Sequence, residues 1–91
     1  MEKVTETIIN SCFDGSIYQK YYKNDRGELY GLCVNYHDNG SIMASTNYAN
    51  DIKNGLSEEF WENGNIKYRC NYVNGMIYGL EEKYPEDEVI N

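Results

Sequence analysis

A chain of 91 residues with 10 tyrosines, one tryptophan and a formal charge of −7 has the length of one ordinary domain. That length leaves no room for a separate catalytic domain, and the acidic balance disfavours direct binding to nucleic acid or anionic lipid and favours a basic partner. The charge is uneven, since residues 55–91 hold 8 of the 15 acidic side chains and 3 of the 8 basic ones. Cys12, Cys33 and Cys70 form no C-x-x-C pair, and with His37 as the one histidine they fall short of a convergent zinc set, so neither metal nor cofactor is expected. No leader pattern and no apolar run of about 20 residues is present, which predicts a cytoplasmic protein with reduced thiols.

In chain order, alternation of apolar and polar residues predicts strands over Thr7–Phe13, Ser16–Lys23, 31–37, 41–49, 55–62, 65–73 and 77–84. Turns are expected at Asp14-Gly15, Asn24–Gly27, 38–40, Asn50–Asn54, 62–64 and Asn74-Gly75. Asn39-Gly40 and Asn63-Gly64 suit two-residue type I′ turns, whose central residues both need positive φ. Leu32, Val34 and Tyr36 fall on one face, and Cys33, Asn35 and His37 on the other. The leucine and aromatic row reads as the packed side. Cys70, in alternation with Ile66, Tyr68 and Tyr72, reads as a small core residue. Pro85-Glu86-Asp87-Glu88 either caps the sheet or offers an acidic contact.

A longer period overlies this alternation. Gly31, Gly55 and Gly79 stand 24 residues apart, and Tyr36, Phe60 and Tyr84 keep the same step. So do Asn39-Gly40 and Asn63-Gly64, Ile42 and Ile66, and Tyr48 and Tyr72. Such self-similarity marks a stacked-repeat architecture in which one hairpin is one unit, stable only in the array. The unit aromatic-x-x-Asn-Gly-x-Ile, followed by tyrosine and then Gly-Leu, resembles the bacterial variant of the MORN (membrane occupation and recognition nexus) repeat found in YwqK-type antitoxins. The resemblance implies an all-β fold: a single-layer, elongated antiparallel meander of stacked hairpins. One repeat domain over 1–91 is expected, with a divergent copy at 7–30, copies at 31–54 and 55–78, and a truncated capping copy at 79–91.

The catalytic inventory is thin. His37 lies beside a turn without an acid or nucleophile at a recognisable spacing and reads as a solvated rim residue. Glu58-Glu59 and Glu81-Glu82 are adjacent pairs whose members face opposite sides of a strand, so they do not make an acid/base couple, and no enzyme is expected. What remains is a surface for a partner, with Glu58, Glu59, Trp61, Glu62, Glu81 and Glu82 as candidate contacts. The Trp61 face, with Glu59 and Glu81, is the preferred subset. Trp61 is either an exposed anchor or a ring lidded by Lys67 or Arg69.

The resemblance to antitoxins implies a non-enzymatic inhibitor or immunity protein that masks a basic, nuclease-like partner with an acidic sheet surface. A phage-type inhibitor of a nucleic-acid-dependent defence enzyme is an alternative in which the acids imitate phosphates. A structural module forming homo-oligomers through sheet edges, or a membrane-surface module, are the others. Direct nucleic-acid binding and membrane insertion are not expected.

Overall fold

The computed structural model describes residues 3–10 and 17–86. The expected Asp14-Gly15 turn, Cys12 and the acids Asp87 and Glu88 lie outside the described residues. Eight strands follow one another: β1 (Thr5–Asn10), β2 (Ile17–Lys23), β3 (Gly31–Tyr36), β4 (Ile42–Ala49), β5 (Ile52–Phe60), β6 (Ile66–Val73), β7 (Met76–Ile77) and β8 (Glu82–Lys83). They form one antiparallel sheet in meander order, β8 pairing with β6 beside β7. Its extents of 45 × 39 × 16 Å are those of a single layer.

The two kinds of turn differ from expectation. At 38–40, Gly40 N–H donates to the His37 carbonyl (2.9 Å) and only Gly40 takes positive φ, at 91°. Asn39 Oδ1 accepts from Ser41 N–H at 2.9 Å. Residues 62–64 repeat this, with Gly64 at φ 93° and Asn63 Oδ1 accepting from Asn65 N–H. These are three-residue loops, a type I turn followed by a left-handed glycine, and not type I′ turns. One pair beyond each loop the ladder slips, Tyr36 pairing with Ile42 but Asn35 with Ala44, and Phe60 with Ile66 but Glu59 with Tyr68, so that Met43 and Lys67 are extra. Type I′ geometry appears instead at Asn50-Asp51 (φ 51° and 69°) and Asn74-Gly75 (φ 50° and 84°). The expected Asn50–Asn54 turn is therefore only two residues long, and β5 begins at Ile52 rather than at 55.

The last strand also departs from expectation. In place of a continuous strand over 77–84, pairing holds at β7 and β8 and lapses between them, where Gly79 has φ 84°. The equivalent stretch in β5 runs unbroken through Gly55 because β4 and β6 both pair with it. Residues 76–84 are paired on one side only among the described residues.

The packed interior lies only in part on the leucine side, where Val34 is buried. Leu32 is 39 % exposed, Leu56 38 % and Leu80 84 %. Leu32 lies opposite Asn47 and Leu56 opposite Asn71, polar neighbours that keep these two leucines wet. A second buried row runs along the other face, where Cys33, Thr46, Ser57 and Cys70 stand opposite one another across four strands. Cys70 and Ser57 are buried, and the Thr46 and Ser57 hydroxyls bond at 3.0 Å. Burial pushes up the pKa of the Cys33 thiol and of the Tyr48 hydroxyl. Tyr68 and Tyr72 flank the buried Cys70 on the same face of β6. A one-layer sheet gains its dry row in this way.

The divergent first copy is anchored by Asn24, which is buried. Its Oδ1 accepts from the backbone N–H of Arg26 (2.9 Å) and Glu28 (3.0 Å), and its Nδ2 donates to Glu28 Oε1 and Asn50 Oδ1. Asn24→Ala strands both backbone donors and is expected to lower stability by about 2 kcal/mol, within the range for orphaned buried donors. A urea midpoint equal to wild type at unchanged slope would contradict this.

Candidate functional site: the Trp61 groove and its acidic rim

Alternation along β5 continues past Glu59 to put Trp61 on the Cys70 face. One extra residue in β6 completes the arrangement. Glu59 pairs with Tyr68 while Phe60 pairs with Ile66, so Lys67 is the bulged residue. Strict alternation would set Lys67 beside Arg69 on the opposite face. The bulge turns it towards Trp61, and its Nζ lies 4.7 Å from the ring centroid.

Trp61 is half-buried, and its Nε1–H donates to the Tyr84 carbonyl at 3.1 Å. His37, one repeat earlier, makes the same reach: its Nε2 lies 2.8 Å from the Phe60 carbonyl. A carbonyl only accepts, so Nε2 carries the proton. His37 is thus half-buried and bridges two hairpins rather than standing solvated on the rim. Pro85 holds the next place in the series and has no N–H to donate.

A shallow groove of about 520 Å³ opens beside Trp61, with Glu59, Lys67, Tyr68, Glu81 and Lys83 around it and Tyr84 and Pro85 at its end. The Tyr68 hydroxyl donates to Glu81 Oε1, and this bond raises the tyrosine pKa. Lys83 Nζ stands 5.9 Å from the Tyr68 centroid. The acidic sheet surface expected on this face is therefore offset, because Lys67 and Lys83 alternate with Glu59 and Glu81. Glu58 and Glu82 lie on the opposite face. Glu58 is paired with Arg69 at 3.1 Å, and Glu82, across from Arg69, accepts from the Tyr84 hydroxyl.

The unopposed acids are at the turn tips. Glu62 is exposed, and its carbonyl accepts from Asn39 Nδ2 (3.0 Å) and Ser41 Oγ (3.2 Å), which fixes one loop against the next. Asp38 and Glu86 stand 24 residues to either side and are also exposed. With strands about 4.8 Å apart, such tips repeat about every 10 Å along the sheet edge. No described cation pairs with any of the three. Asp14 has the same place in the sequence and lies outside the described residues. The 24-residue step was the signal for this row, but strand alternation, which sorts only strand residues, does not display it.

Among the described residues no group of three His, Cys, Asp or Glu side chains is disposed to hold a metal, and no helix is long and apolar enough to cross a membrane. Residues 29–50 and 53–74 match the MORN repeat variant. No curated protein and no solved structure matches the chain. The two matched segments start 24 residues apart and coincide with the β3–β4 and β5–β6 hairpins. The repeat they match is a non-enzymatic module for protein or membrane binding. The period, the sheet and the matched hairpins together make the chain a MORN-repeat protein.

Proposed function

We propose that this protein is a protein-binding inhibitor of antitoxin or immunity type, which covers a basic, nuclease-like partner with the edge formed by its acidic turn tips and the adjoining Trp61 groove. The observation that carries the reading is the row Asp38, Glu62 and Glu86, 24 residues apart in sequence, exposed and unpaired among the described residues. Bonds from Asn39 and Ser41 to the Glu62 carbonyl hold the Asp38 tip against the Glu62 tip, so little ordering of these two remains for binding to impose. Glu59, Trp61, Glu62 and Glu81 belong to this surface. Glu58 and Glu82 do not, since their partners are already on the opposite face.

The test uses the protein that co-purifies from the source cell. Rim carboxylates act mainly through encounter, so association should slow with salt. Replacing Asp38, Glu62 and Glu86 together by lysine should lower the association rate at least about tenfold at low salt and leave dissociation little changed. Salt-independent binding with a neutral triple variant would replace the inhibitor reading by that of an assembly module.

A further inference from the structure

The groove has the ingredients of a site for a cation, and the chain's own lysines fill it. Two rings, Trp61 and Tyr68, and two carboxylates, Glu59 and Glu81, line it. An ammonium lies over each ring, Lys67 at 4.7 Å from the Trp61 centroid and Lys83 at 5.9 Å from that of Tyr68. The platform is fixed: Trp61 is tied through Nε1 to the Tyr84 carbonyl, and Glu81 accepts from the Tyr68 hydroxyl. Its occupant is not. Lys67 is exposed, no described carboxylate forms a salt bridge with it, and it reaches the ring only through the bulge.

From this arrangement we infer that the groove recognises an arginine side chain of a protein partner, and that Lys67 holds the place of that guanidinium in the free protein. A guanidinium suits it better than an ammonium does. It is planar, sheds water more easily, stacks flat on an indole and can present N–H groups sideways to Glu59 and Glu81. The exposed acids at the turn tips would bring a basic surface to the groove. The inference rests on the proposed function for the partner's basic character, and it adds the chemical group that the groove selects.

Trp61 is the chain's one tryptophan, so its fluorescence reports the groove directly. Hexa-arginine and hexa-lysine peptides are titrated into wild type, Lys67→Met and Lys53→Met. Lys53 lies over Tyr72 outside the groove lining, at 5.0 Å from the ring centroid, and its replacement makes the same change in net charge. Lys67→Met should bind hexa-arginine at least about threefold more tightly than Lys53→Met, and both should prefer hexa-arginine to hexa-lysine. Equal affinities for the two variants, or equal affinities for the two peptides, would overturn the inference. The turn-tip charges and the native partner do not enter this comparison. The acidic-edge reading can therefore survive a failure here, and its own failure would leave this result standing.

Discussion

Gly55→Val should lower the unfolding free energy by about 3 kcal/mol or more, against about 1–2 kcal/mol for Gly64→Val. Both glycines occupy backbone that side chains rarely adopt, with φ of 116° and 93°. They differ in their surroundings. A Cβ at Gly64 would meet nothing within 4 Å, whereas at Gly55 it would stand 3.1 Å from the Asn47 Cβ. Asn47 is not free to withdraw, because its Nδ2 donates to the Leu56 carbonyl at 3.0 Å. Strain therefore acts alone at Gly64 and together with overpacking at Gly55. Urea denaturation of the two variants side by side decides the matter, and equal losses would show that the approach of Asn47 is without consequence.

Trp61→Ala should weaken binding of the co-purifying partner at least tenfold, or about 1.4 kcal/mol, chiefly through faster dissociation. It should also cost about 2 kcal/mol of stability, less than for a fully buried tryptophan because the ring is half-exposed. The repeat itself supplies the variant that separates the two effects. Histidine stands at the equivalent position 37 and makes the same contact with a carbonyl of the next hairpin. Trp61→His should recover most of the stability while leaving the partner's affinity reduced. If Trp61→His restores affinity together with stability, Trp61 serves the fold alone and is no contact residue.

Much of this architecture could be read directly from the chain. The 24-residue step and the alternation about Asn39-Gly40 and Asn63-Gly64 give hairpins in series, and the sheet has them in that order. The same dipeptide does not specify its turn, however. Asn74-Gly75 closes a two-residue loop, while Asn39-Gly40 and Asn63-Gly64 each share a longer one with the preceding acid. Loop length is fixed by how the flanking residues pair, which is a non-local property.

The same limitation governs the site. Glu59 and Trp61 share a face by simple alternation, but Lys67 joins them through a one-residue bulge that no local pattern announces. The leucine row is dry only at Val34 for a related reason. Leucine is more apolar than cysteine, serine or threonine, but Asn47 and Asn71 lie opposite Leu32 and Leu56, and composition alone does not reveal cross-strand neighbours.

The forward reach of His37 and Trp61 has a consequence for how order spreads along the chain. Each ring closes on a carbonyl in the hairpin that follows it, so a hairpin is complete only when its successor is in place. Coupling between neighbours of this kind makes a linear array behave as one cooperative length. At Pro85 the series meets a residue without a donor, and the coupling is not handed on by that route. Residues 76–84 pair on one side only among the described residues, and their opening releases the Trp61 ring from the Tyr84 carbonyl. The last, broken strand is thus the part whose opening would first be felt in the groove.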